Sequence, residues 1–337
     1  MNEGGAVDDD TPMPVRFERF LAAVEPDRAA TVTAFKPISG GYSRVTARVD
    51  VRWSDGDEEK LILRMDPPPG KEGVFSSERD REWSVLQALW ADGTVTIPRP
   101  RWYDTGEHLG TKAIVMDFVE GTPLQLTLQP DGDFRPATDI YLDVAATLQR
   151  IPLKALPGEI EHPDDWDSAI NSAIDIYGRG ERGLVESDPV IRYVTAWLRA
   201  NKPPPVPLGV VHGDFQPGNI LVAAGREPVV IDWEFTRIGD PREDVGYYSG
   251  SPLPNSLYTA DADYFLARYR QVTGLSEEQV NPDVMRYFFI LGMAELMIQM
   301  MQGADALARG EPKPVMNTFL INSISYFHQN YVDICRP

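Results

Sequence analysis

The spacing of apolar residues changes character once along this chain, near residue 120, and that change limits the folds open to it. From Val32 to Met65 the runs VTAFKPISGGYSRVTARVDVRW and KLILRM are rich in Val, Ile, Leu and Thr and are broken at Gly40-Gly41. They predict three antiparallel strands, with turns at 39–42 and 54–57. A helix is expected over 76–90, where apolar residues fall at 85, 86, 89 and 90, followed by strands over 101–104 and 113–119. Beyond that point the reading is a helix over 136–150, a polar loop holding Asp164, Asp165 and Asp167, a helix over 187–200, and short strands over 209–211, 220–222 and 228–232. Helical periodicity then dominates 262–332. With 337 residues the chain exceeds one small core. The expectation is an α+β protein: an acidic tail over 1–14, a small antiparallel-sheet lobe over 15–118, and a larger, mainly helical lobe over 119–337.

Charge and cysteine content narrow the function. The chain carries 51 Asp and Glu against 32 Lys and Arg, a formal net charge of -19. Such a surface repels a phosphate backbone, so no nucleic-acid partner is expected, and a cationic small molecule fits better. Cys335 is the single cysteine, which rules out an intramolecular disulfide and a thiolate zinc site and points to the cytoplasm. The first ten residues include Asp8, Asp9 and Asp10 and lack an apolar core, so neither a signal nor a transit peptide is expected. The most apolar stretch, 287–301, is short and contains Glu295 and Gln299; it reads as a buried helix, not a membrane span.

The segment 210–234, VVHGDFQPGNILVAAGREPVVIDWE, carries the chemistry. His212, Asp214 and Asn219 stand in an H-x-D-x-x-x-x-N spacing between apolar strands, and Asp232 follows a further apolar run. A carboxylate at 214 can accept or orient the proton of an attacking hydroxyl. Asn219 supplies a neutral oxygen and Asp232 a carboxylate, the hard donors that Mg²⁺ takes beside nucleotide phosphates. Taken alone, His-Gly-Asp could be a simple turn; the second aspartate in strand context favours the chemical reading.

His212-Gly213-Asp214-Phe215-Gln216-Pro217-Gly218-Asn219-Ile220-Leu221, followed by Ile231-Asp232-Trp233-Glu234, resembles the aminoglycoside phosphotransferase and choline kinase family, which has a bilobal protein-kinase-like fold. The resemblance implies transfer of the γ-phosphoryl of ATP or GTP to a hydroxyl of a small molecule, an aminoglycoside, macrolide, choline, amino-alcohol or sugar, with Mg²⁺ as cofactor; the acidity of the chain favours an amine among them. Asp214 would be the catalytic base, Asn219 and Asp232 the metal ligands, and His212 a brace for the loop. In the sheet lobe Gly40, Gly41, Tyr42 and Ser43 read from spacing as either a hairpin turn or a phosphate loop, and the resemblance favours the latter. Arg64 on the third strand stands where protein kinases carry lysine, and its guanidinium can grip phosphate bidentately. Glu82, one turn before Val85 and Leu86, is the carboxylate expected to hold Arg64. By the same resemblance Asp117 and Val119 offer main-chain groups to the nucleobase, and the last Asp of Gly239-Asp240-Pro241-Arg242-Glu243-Asp244 braces the catalytic region. Asp164, Asp165, Asp167 and Glu295 are candidates for gripping an amine. The rival reading is a silent nucleotide-binding module of pseudokinase type.

Overall fold

The computed structural model describes residues 11–38, 45–67, 78–129, 132–182, 189–249 and 256–310, with side chains except at 176–182, 294–296, 299–300 and 302–307. Gly40, Gly41, Tyr42 and Ser43 lie outside the described residues, as does the side chain of Glu295. Contacts divide the described chain into two compact units, residues 11–87 with 98–119, and residues 88–97 with 120–310.

The first unit is built from α1 (Met13–Val24), β1 (Ala30–Pro37), β2 (Val45–Trp53), β3 (Glu58–Met65), the start of α2 (Arg79–Asp92), β4 (Pro100–Asp104) and β5 (Ala113–Asp117). The strands form one antiparallel sheet in the order β1-β2-β3-β5-β4. Every second residue of β2 from Ala47 to Trp53 is buried, the period of a strand with one face in a core. Val49, Val51, Leu61, Leu63 and Val115 on that face pack with Phe17, Phe20 and Leu21 of α1. The helix starts at Met13, so Met13 and Pro14 belong to it and not to a tail; Pro14 sits in the first turn, where its missing N–H leaves no bond unmade.

The second unit holds β6 (Thr122–Pro123), α3 (Arg135–Leu148), α4 (Trp166–Arg182), α5 (Pro189–Ala200), β7 (Gly209–Val211), β8 (Ile220–Val222), β9 (Val229–Val230), β10 (Arg237–Gly239), α6 (Arg242–Ser249), α7 (Leu257–Ala260), α8 (Ala262–Thr273) and α9 (Pro282–Ala308). Its strands form a β6-β8-β9 sheet and a separate β7-β10 pair. Three departures from the sequence reading have local causes. The polar stretch around Asp167 is the start of α4, because Asp165 caps it: Oδ1 of Asp165 accepts from the amide of Ser168 at 2.7 Å. β6 and β10, two and three residues long, are too short to show a period. The strand expected to reach residue 232 stops at Val230, since Asp232 adopts φ +71 and turns the chain out of extended geometry.

α6 and α9 meet at two glycines. A Cβ on Gly246 would stand 2.3 Å from Cβ of Phe288, and one on Gly292 2.4 Å from the ring of Tyr247, so neither helix tolerates a side chain there. This close contact anchors α6, which delivers Asp244 to the amides of His212 and Gly213. Among the described residues no helix is long and apolar enough to cross a membrane.

Candidate active site

β7 delivers the chain to His212, which is fully buried. Its amide and that of Gly213 donate to the two oxygens of Asp244, at 2.8 and 2.9 Å, so one carboxylate on α6 fixes two successive peptide planes. The imidazole does the rest. Nε2 lies 2.9 Å from the carbonyl of Ile231, which can only accept, so Nε2 carries the proton; Nδ1 then accepts from the amide of Asp214 at 3.2 Å. Gly213 has φ +87, and a Cβ there would sit 2.6 Å from both Cβ and the carbonyl oxygen of Phe235. Only glycine fits.

Asp214 follows in a partly open position. Nε2 of Gln216 donates to both carboxylate oxygens at 3.1 Å, and Nδ2 of Asn219 donates to Oδ2 at 2.9 Å and to the Asp214 carbonyl at 2.8 Å. Burial raises the Asp214 carboxyl to about 7, with the negative charge of Asp232 the next contribution and that of Glu234 a smaller one; the amides of Asn219 and Gln216 pull it back. A carboxyl poised near neutrality, and held by amides that leave its ionised form satisfied, suits proton acceptance. The Asp244 carboxyl is likewise raised by burial, to about 6, against the pull of the two amides it receives.

Asn219 closes the short turn Pro217–Asn219, and its carbonyl accepts from the amide of Ile231 at 3.0 Å. Both hydrogens of its side-chain amide are spent on Asp214, while Oδ1 accepts nothing from a described residue. That oxygen and the Asp232 carboxylate are hard donors. No group of three or more His, Cys, Asp or Glu side chains among the described residues forms a metal cage. A pair of oxygen ligands fits a cation that completes its shell with water and substrate phosphates, as Mg²⁺ does.

In the sheet unit, Nη1 of Arg64 lies 3.2 Å from Oε1 of Glu82. The other Glu82 oxygen takes Nη1 of Arg79 at 2.5 Å, and Arg79 reaches Oδ1 of Asp66 at 3.1 and 3.2 Å. Arg79 and Glu82 are 1% exposed and Arg64 9%, so the carboxylate is held between two guanidinium groups away from water. The sequence reading named Arg64 and Glu82 but not Arg79 or Asp66; the three-residue spacing of Arg79 and Glu82 along α2 was the available signal. At the end of β5 the amide of Asp117 donates to the Arg99 carbonyl and that of Phe118 to the Lys60 carbonyl, both at 3.0 Å. The Asp117 side chain pairs with Arg101. Of the main-chain donors expected to meet a nucleobase, those amides are spent, and Val119 remains.

Other candidates have structural partners. Asp165 caps α4, and Asp167 pairs with Lys202 at 2.6 Å. Trp166 donates its indole N–H to Oδ2 of Asp240 at 2.6 Å, and buried Trp233 packs against the His212 ring at 4.7 Å. Asp240 and Arg242 form a fully buried ion pair, with Arg242 also donating to the carbonyls of Pro204 and Gln279.

The 212–219 loop with its buffered aspartate, on a chain that opens with a five-stranded antiparallel sheet, is in keeping with a kinase-type phosphotransferase. The family model described as "Phosphotransferase enzyme family" matches residues 34–287, three quarters of the chain. The chain belongs to that family and has the protein-kinase-like fold. Solved structures with the same fold include a putative aminoglycoside phosphotransferase from Ralstonia eutropha, at TM-score 0.67 and 17% identity, covering 95% of this chain and 97% of that one. A thermostable variant of aminoglycoside phosphotransferase APH(4)-Ia, in ternary complex with ADP and hygromycin B, matches at TM-score 0.65 and 17% identity, again covering 95% and 97%. Among curated proteins, the probable acyl-CoA dehydrogenase IBR3 of Arabidopsis thaliana is 26% identical over 233 residues, covering 61% of this chain and 26% of that protein. Acyl-CoA dehydrogenase family member 11 of Homo sapiens is 26% identical over 198 residues, covering 57% and 25%. The chain thus spans about a quarter of the length of these curated relatives.

Proposed function

We propose that this protein transfers the γ-phosphoryl group of a purine nucleoside triphosphate to a hydroxyl of a small molecule. The observation that carries the reading is the Asp214 carboxyl, clamped by the amides of Gln216 and Asn219 and raised to about 7 beside Asp232. In the reaction the acceptor oxygen forms its bond to the γ-phosphorus as the bond to the β,γ-bridging oxygen breaks, and the nucleoside diphosphate leaves. Asp214 takes the hydroxyl proton, and its two amide partners hold the carboxylate in the orientation that receives it. Arg64, set by Glu82, meets the donor phosphates, and Val119 offers its amide to the base. Asn219 and Asp232 would hold Mg²⁺, which supplies charge neutralisation at the β- and γ-phosphates. The presence together of Asp214, Asn219 and Asp232 favours chemistry over a silent nucleotide-binding module.

Two acceptor classes are in keeping with the comparisons. The complex of APH(4)-Ia with hygromycin B supports a hydroxylated, cationic acceptor, in keeping with the net charge of -19. The curated relatives carry the name acyl-CoA dehydrogenase, which makes a hydroxylated acyl thioester the second acceptor class to test. The deciding experiment follows labelled γ-phosphate from Mg-ATP and Mg-GTP to a panel of aminoglycosides, amino-alcohols, sugars and hydroxyacyl thioesters, with wild type and Asp214→Ala. Label on one class with wild type alone supports the reading and selects the acceptor. Equal transfer by Asp214→Ala removes Asp214 from the chemistry.

A further inference from the structure

The face of the sheet opposite the α1 core carries a second guanidinium. On β2 and β3, Thr46 stands across from Arg64 and Arg48 from Ile62; Ile62 in turn stands across from Met116 of β5, and Asp50 across from Lys60. Residues directly opposite in an antiparallel pair share a face. Arg64, Ile62, Met116 and Arg48 therefore lie on one surface, with Arg48 two residues along its strand from the position opposite Arg64, roughly 6.6 Å.

Arg48 is fixed on two sides. Nε and Nη2 donate to the two oxygens of Asp50 at 2.7 and 2.9 Å, a bidentate pair. The guanidinium carbon lies over the Phe118 ring, 4.9 Å from its centroid. Phe118 is the residue between Asp117 and Val119, where the reading above places the nucleobase. Both members of the ion pair are about one quarter exposed. Asp50 neutralises the charge and stiffens the side chain, which leaves Arg48 to act through planar shape and directed N–H groups more than through net charge. Lys36, across from Arg48 on β1, and Lys60 keep this end of the face cationic on an otherwise acidic chain.

The geometry points to Arg48 as a specificity residue for the donor nucleobase, one that lets the site accept guanine. This rests on the reading of this sheet face as the donor site. Arg48 is a pure hydrogen-bond donor. Guanine presents two acceptors, O6 and N7, side by side, the pattern a guanidinium matches, whereas adenine places an amino group beside N7. An arginine pinned next to the base-binding strand end thus favours GTP relative to a side chain without donors. The Asp50 pair and the Phe118 ring remove the rotamer freedom that would otherwise oppose that contact.

The test compares kcat/KM for Mg-GTP and Mg-ATP in wild type, Arg48→Ala and Arg48→Lys, with calorimetric binding of GDP and ADP to the same proteins. The expected result is measurable GTP use by wild type and a GTP-to-ATP ratio about tenfold lower in both variants, since lysine keeps charge but not the fork. A purely structural Arg48 would lower stability and both donors alike. An unchanged ratio, or no GTP use by wild type that uses ATP, overturns the inference alone. Binding of neither nucleotide to wild type overturns it together with the phosphotransferase reading.

Discussion

His212 donates from Nε2 to the carbonyl of Ile231 at 2.9 Å, so a single imidazole ties the residue before Asp232 to the loop that bears Asp214. His212→Ala leaves that carbonyl and the Asp214 amide without partners and opens a cavity beside Trp233. The expected loss is about 2–4 kcal/mol, read by chemical denaturation. His212→Phe fills the cavity yet restores neither hydrogen bond; stability equal to wild type in that variant would show that the imidazole nitrogens contribute nothing.

The pH dependence has a defined sign. Asp214 must be ionised to accept a proton, and its carboxyl sits near 7, so kcat/KM rises as pH increases through about 7. Stability runs the other way. The folded carboxyl is raised above its ordinary value of 3.8, so the folded state binds the extra proton between these limits, and stability falls as pH climbs from about 4 to about 7. Asp214→Asn removes that loss: its melting temperature relative to wild type should increase over the same interval, while phosphotransfer disappears. A melting difference independent of pH contradicts the assignment.

Asp232 tests the separation of fold from chemistry. With φ +71 it occupies the left-handed region that asparagine tolerates and alanine does not. Asp232→Asn is expected to melt within a few degrees of wild type and to lose transfer, whereas Asp232→Ala loses both transfer and about 1 kcal/mol or more of stability. Retained activity in the asparagine variant at saturating Mg²⁺ would remove Asp232 from the metal pair.

Gly213→Ala combines a disfavoured φ with a Cβ 2.6 Å from Phe235. It should cost at least about 2 kcal/mol and displace the Asp214 amide from His212 Nδ1. Proteolysis and denaturant midpoint report the first effect; single-turnover transfer reports the second. A variant matching wild type in both would mean that the chain relaxes around the added methyl.

Much of the sheet unit was legible because period-two alternation in β2 and β3 is a local signal, and the 212–219 loop because its functional groups are near neighbours in sequence. The clamp by Gln216 was hidden in plain view: its side chain acts two residues from its own position, but only a turn geometry shows that it reaches both oxygens of Asp214. Arg79 and Asp66 escaped notice because their pairing depends on where α2 docks, which no periodicity encodes. The cluster of Asp164, Asp165 and Asp167 predicts a loop, yet Asp165 caps α4 and Asp167 stands in its first turn, where an acidic residue is stabilising. The conformation of Asp232 has no signature beyond its residue type.

That conformation also shapes how the protein can change over generations. Aspartate codons become asparagine or glycine codons through one base substitution, and these two residues are the ones that settle comfortably at φ +71. Both lack the charge. The mutations that leave the backbone at ease here are therefore the ones that discard the carboxylate, and a lineage can lose that charge while its protein continues to fold.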